Sequence, residues 1–228
     1  MKVIKIGEYE CNLVESPKGG DSGTLVYMIY PGIEPIPADW LEDKAAKYGC
    51  GIAVVYVPAS LWNDSLTPWP EPGETKDAQP FGGKAPEFKR ELIEKIVPSL
   101  EKNCNADIKR RNLIGVSLSG LFTLWEWLQD SAFFSIASLS GSFWYEGFMD
   151  WFDNQNIPPK PGKAYFLLGA KEPDSRIKAF RSVGENTQKI VERLAELGIN
   201  TEFQWVPGDH FYDPLGRASK AFENLFEK

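Results

Sequence analysis

The stretch Gly115-Val116-Ser117-Leu118-Ser119-Gly120 places small side chains between two apolar runs. A serine in such a stretch can serve as a nucleophile if it sits on a sharp strand-to-helix turn. Strand and helix approach closely there, so the flanking positions tolerate little bulk. The turn would aim the Ser117 hydroxyl out of a sheet and point the new helix's N-terminus at it. The free N–H groups and partial positive charge of that terminus suit a developing oxyanion. The competing reading is a Ser-rich helix cap. Nucleophile turns commonly read G-x-S-x-G; here Ser119 stands where the second glycine is usual.

A serine nucleophile needs a base that titrates near neutrality, most often histidine. The chain has one, His210, in the segment WVPGDHFYDP. That segment follows the last expected strand, so its loop should reach the same sheet edge as Ser117. The imidazole in turn needs an orienting carboxylate. The segment YFLLGAKEPDSR offers two after a strand and Gly169: Glu172 as first choice and Asp174 as second. Read alone, either acid is an ordinary solvated loop residue. Read together, the order serine, acid, histidine is the chain order of an α/β-hydrolase. One histidine and scattered carboxylates form no metal-ligand pattern, and no cofactor motif stands out.

These groups can converge only if the elements before them lie side by side. Lys2–Ile6 and Glu8–Val14 alternate as an antiparallel start. From Thr24 onward, strands and helices take turns. TLVYMIY precedes a helix over PADWLEDKAAKYG, and GIAVVYV precedes one over PEFKRELIEKIVPSLEKN that Pro98 should kink or break. NLIGV leads to GLFTLWEWLQD, and FSIASLS follows. KAYFLLG leads to NTQKIVERLAELG, and TEFQWV to PLGRASKAFENLFEK. This alternation predicts a single α/β domain over 1–228, with a mostly parallel sheet and helices on both faces. Ligands in such folds bind beyond the C-terminal strand ends. Pro31-Gly32, the loop after Val57, Ser117, Ser140–Tyr145, Gly169–Asp174 and Gly208–Phe211 all fall there.

Composition narrows the function classes. Apolar residues are 43% and charged residues 25% of 228, as in globular proteins. A net charge of −7 argues against a nucleic-acid partner, since phosphate contacts need clustered Lys and Arg. Cys11, Cys50 and Cys104 are odd in number and widely spaced, which fits reduced thiols in the cytoplasm. No apolar run approaches the roughly 20 residues of a membrane span. The oligomeric state is not legible.

The segments LIGVSLSGLFTLW, ASLSGSFWYEGF, FLLGAKEPDSR and WVPGDHF resemble the α/β-hydrolase superfamily, most of all the esterase branch that includes esterase D-like and enterochelin esterase-like enzymes. The resemblance spans nearly all of the chain from Thr24. It implies serine hydrolase chemistry on a small-molecule ester without metal or cofactor. On that chemistry Leu118 N–H and an N–H of Gly32 or Ile33 would hold the oxyanion, because Pro31 has none. The segment Pro58–Pro86 has 29 residues, six prolines and three glycines, and no clear periodicity. Segments of that length without regular structure tend to be functional, and this one is a candidate lid. Trp62 and Trp69 within it, with Trp144 and Tyr145 after another strand, are candidate walls of a substrate pocket. Packing of loops onto the body accounts for each equally well. Trp125, Trp127 and Trp205 are expected in the core. An acyltransferase or thioesterase on the same scaffold shares the acyl-enzyme, and a non-catalytic binding module would share only the fold. A nucleotide-binding fold is disfavoured: Gly115–Gly120 lacks G-x-G-x-x-G, and no phosphate-loop Lys follows.

Overall fold

Strands that are apolar at nearly every position must be covered on both faces, and this requirement organises the protein. The computed structural model describes residues 1–16, 23–129 and 131–226. Its strands are β1 (Lys2–Ile6), β2 (Tyr9–Val14), β3 (Thr24–Pro31), β4 (Gly51–Val57), β5 (Pro70–Glu71), β6 (Phe81–Gly82), β7 (Arg110–Val116), β8 (Ser135–Leu139), β9 (Lys163–Gly169) and β10 (Asn200–Val206). Its helices are α1 (Ala38–Tyr48), α2 (Ala59–Ser65), α3 (Ala85–Glu91), α4 (Val97–Lys102), α5 (Leu118–Leu128), α6 (Phe148–Asp153), α7 (Val183–Glu196) and α8 (Pro214–Phe226). Eight strands form one sheet in the order β1-β2-β4-β3-β7-β8-β9-β10. The pairs β1–β2 and β2–β4 are antiparallel and the remaining neighbours are parallel.

Period-two alternation divides the core. Tyr27, Ile29, Ala53, Val55 and Leu113 face one side, where α3 and α5 pack. Val26, Met28, Ile52, Val54 and Ile114 face the other, with Leu41 of α1 and Ala218, Ala221 and Phe222 of α8. The strand order reverses between β3 and β7, because β4 lies on the outer side of β3. Ligands in such sheets bind outside the C-terminal strand ends at a reversal of this kind, and Ser117 follows β7 there.

Helix ends follow local chemistry. Gly49 closes α1 in the left-handed conformation, and its N–H donates to the Ala45 carbonyl. The expected break near Pro98 takes the form of a π-helical turn over Leu92–Ile96, after which Pro98 sits in the first turn of α4. The helical path runs on through this turn, where Val97 N–H donates to the Leu92 carbonyl five residues back, so the disturbance expected of a proline is taken up as a local change of helical pitch.

Two expectations change. Pro58–Pro86 carries regular structure: α2, and a small antiparallel ribbon of β5 and β6. Lys84 N–H donates to the Asp64 carbonyl at 2.7 Å, Ala85 N–H to the Thr67 carbonyl at 3.0 Å, and the Lys84 ammonium to the Asp64 carboxylate at 2.7 Å. A seven-residue helix and two-residue strands are too short to give a readable period. Trp125 and Trp127 are buried, but Trp205 is 40% exposed. It lies on β10, the last strand, where its ring packs over Gly184 at the start of α7 and beside Phe203. Among the described residues no strand lies beyond β10.

Candidate active site

The turn at Ser117 is built by steric demand. Ser117 adopts φ 58° and ψ −124°, a region costly for any residue with a Cβ. Its backbone is held on every side. Its N–H donates to the Leu139 carbonyl at 3.0 Å, and its carbonyl accepts from Gly120, Leu121 and Ser142 N–H. Gly115 permits the approach of strand and helix: a Cβ there would lie 2.1 Å from the Ser119 carbonyl oxygen and 2.4 Å from the Thr123 hydroxyl. Ser119 is fully buried. Its hydroxyl accepts from Val116 N–H at 2.7 Å and shares its proton between the Ile29 and Val116 carbonyls, at 2.7 and 2.8 Å. The serine at this position therefore builds the turn.

Ser117 Oγ lies 3.0 Å from His210 Nε2, although 93 residues separate the two. His210 Nδ1 lies 2.8 Å from Glu172 Oε2. A carboxylate only accepts hydrogen bonds, so Nδ1 carries the proton and Nε2 is left to accept from the serine. Glu172 is 8% exposed. Burial pushes its pKa up, but His210, the Ser140 hydroxyl and the Gly169 N–H together outweigh burial and hold it below the ordinary value. Asp174, the second choice, is exposed, and its N–H donates to the Lys171 carbonyl. Glu172 is the carboxylate that meets the imidazole.

Leu118 is the first residue of α5, so its N–H has no acceptor within the helix, and that helix has no acidic residue in its first turn. Gly32 N–H donates to the Val57 carbonyl at 2.8 Å and is therefore engaged in extending the β3–β4 pairing. Of the two residues the sequence left open, Gly32 thus has its N–H engaged, while Ile33 is 78% exposed.

The four aromatic candidates separate. Tyr145 is buried, and its hydroxyl donates to the Trp69 carbonyl at 2.6 Å. Trp69 Nε1 donates to the Glu146 carbonyl at 3.0 Å. This reciprocal pair clasps the Pro58–Pro86 segment to the body, and Tyr145 offers no open face. Trp62 and Trp144 are half-buried, with Trp144 packed on Phe180 at 4.3 Å between ring centroids. Reading the sequence missed Arg217, and it named Ser140 only as the start of a segment at a strand end. Arg217, on α8, is buried and reaches Ser140, Glu172 and the carbonyls of Asp209 and His210. The available signal was a charged residue beside Ala218, Ala221 and Phe222 on the apolar stripe of its helix.

Residues 34–213 match the family described as "Putative esterase". This chain belongs to that family. Its fold is that of the α/β-hydrolases. Among sequence relatives, it is 27% identical to the uncharacterized protein YbbA of Bacillus subtilis (strain 168) over 142 residues. That match covers 61% of this esterase and 57% of the relative, so it spans little more than half of that protein. Among solved structures, the esterase superposes on an IroE-like serine hydrolase from Shewanella oneidensis with a TM-score of 0.76 at 14% identity, covering 96% of this chain and 75% of the other. Siderophore hydrolase EstB from Aspergillus nidulans superposes with a TM-score of 0.75 at 16% identity, covering 99% and 94%. At such identities the likeness is one of fold. No helix among the described residues is long and apolar enough to cross a membrane.

Proposed function

We propose that this esterase cleaves a small-molecule carboxylic ester through an acyl-enzyme, with Ser117 as nucleophile, His210 as base and Glu172 as the orienting acid. The observation that carries the reading is the continuous chain from Ser117 Oγ to His210 Nε2 to Glu172, at 3.0 and 2.8 Å. Ser117 Oγ attacks the carbonyl carbon and its proton passes to His210 Nε2. Glu172 stabilises the imidazolium without taking the proton. The oxyanion accepts from Leu118 N–H and Ile33 N–H. Collapse of the tetrahedral intermediate breaks the bond to the alcohol, which leaves with the proton held by Nε2. Water, deprotonated by the same nitrogen, then releases the acid. No metal or cofactor takes part in this sequence.

Half-buried Trp62 and Trp144 remain the candidate walls for the acyl or alcohol group, and exposed Phe211 lies beside the imidazole. Phe211 stands edge-on to His210 at 5.1 Å between ring centroids. The siderophore hydrolases of like fold make siderophore-type esters one class to assay, beside nitrophenyl, feruloyl and acetyl-sugar esters. Ser117→Ala and His210→Ala are each expected to abolish ester turnover while the far-ultraviolet circular dichroism stays unchanged. Turnover retained in either variant removes that residue from the mechanism. A matched oxygen ester and thioester, compared by kcat/KM, separate esterase from thioesterase.

A further inference from the structure

We propose that Arg217 is a positioning residue that locks the acid and the imidazole-bearing loop of the site to one another. The inference rests on the triad reading above. Glu172 divides its two oxygens: Oε2 meets His210, while Oε1 accepts from Gly169 N–H at 2.8 Å, the Ser140 hydroxyl at 2.7 Å and Arg217 Nη1 at 3.0 Å. With Oε1 held from three sides, Oε2 has one direction left, and that direction is toward Nδ1. The same guanidinium holds the loop that carries the imidazole. Nη1 lies 3.4 Å from the His210 carbonyl and Nη2 donates to the Asp209 carbonyl. Ser140, at φ 50°, accepts from Nη1 and donates its own hydroxyl hydrogen bond to Glu172 Oε1. Nε finds no partner among the described residues.

The side chains of Arg217 and Glu172 are each 5% exposed. A charge so far from water needs a counter-charge, and each supplies the other's. The geometry also asks for a planar fork. Only a guanidinium can reach a carboxylate, a hydroxyl and two successive carbonyls at once; an ammonium on its stem is a point donor. Gly169 makes room for the fork, since a Cβ there would fall 2.5 Å from Arg217 Nη2. The first turn of α8 fixes the arginine's backbone, whose N–H donates to the Asp213 carbonyl at 3.0 Å.

The single histidine gives an unambiguous readout: the far-downfield proton resonance of a Nδ1–H held by a carboxylate can come from no other imidazole. The experiment compares wild type, Arg217→Lys, Arg217→Met and Glu172→Gln by that resonance, by thermal unfolding, and by kcat and KM on a nitrophenyl ester. The wild type is expected to show the resonance, and Glu172→Gln to lose it. Arg217→Lys is expected to fold, to shift or broaden the resonance, and to lower kcat by roughly 10–100-fold, as changes in the groups that orient a functional imidazole do, with KM unchanged. Arg217→Met, if it folds, should fall below Arg217→Lys, so that lysine is a partial rescue. A folded Arg217→Lys with the wild-type resonance and kcat overturns the proposal. Ester turnover retained in Ser117→Ala sinks the serine reading instead, whatever the Arg217 variants do.

Discussion

The Ser119 hydroxyl lies 2.7 Å from the Ile29 carbonyl, so the helix that begins at the candidate nucleophile is tied to the strand that leads to Ile33. Both proposed oxyanion donors therefore sit on elements joined by one buried hydroxyl. A glycine at this position would leave the same space and lose the tie. Ser119→Ala strands the Val116 N–H and is expected to cost about 1–3 kcal/mol of stability, read as a lowered urea midpoint. An unchanged midpoint would show that the bond contributes nothing.

Gly115 should tolerate no side chain. Gly115→Ala sets a Cβ against backbone atoms of Ser119, which cannot swing aside as a flexible side chain could. The expected loss is about 1–3 kcal/mol, typical of overpacking, together with lower kcat because Ser117 moves with the turn. Wild-type stability and activity in this variant would mean that the approach of β7 and α5 is not tight.

Ile33 offers a test of the oxyanion site through its backbone. Ile33→Pro removes the N–H and is expected to lower kcat by roughly 10²–10³-fold, as loss of one oxyanion donor does. Ile33→Ala keeps the N–H and should keep kcat. Equal effects of the two substitutions would assign the loss to the side chain and remove Ile33 N–H from the mechanism.

Glu172 links the site to pH. Its carboxyl titrates below the ordinary value in the folded protein, so ionised Glu172 binds protons less readily than in the unfolded chain. Its contribution to stability is therefore full above the unfolded value of about 4.3, and it is lost as pH falls through the lower folded value. The stability gap between wild type and Glu172→Gln should hold constant above that pH and narrow below it, as measured by urea unfolding. A gap that widens on acidification would contradict this. Glu172→Gln should also lower kcat near neutrality by about 10³–10⁴-fold through loss of the correct imidazole tautomer.

The parts of the site set by the backbone were legible in the sequence. Ser117, Glu172 and His210 each follow a strand of readable period, and parallel strands deliver their ends to one edge. The Arg217–Ser140–Glu172 contacts were hidden because they depend on how α8 packs across the sheet, which no local pattern records. The engagement of Gly32 N–H was also hidden, because β3 continues its pairing with β4 one residue further than the Pro31 break suggests. Tyr145 and Trp69 have the composition of a pocket wall, yet the Tyr145 hydroxyl meets the Trp69 carbonyl and the Trp69 indole N–H the Glu146 carbonyl, contacts between residues 76 and 77 positions apart in sequence. Trp205 shows the remaining limit: a strand's apolar face does not say whether another strand lies beyond it.

Labelling of the intact protein with a fluorophosphonate, followed by whole-protein mass and peptide mapping, tests the serine mechanism most directly. The expected result is one adduct, on Ser117, absent in Ser117→Ala and greatly slowed in His210→Ala. A folded wild-type protein that stays unlabelled, or one that carries the adduct on a different residue while Ser117 remains free, would contradict it.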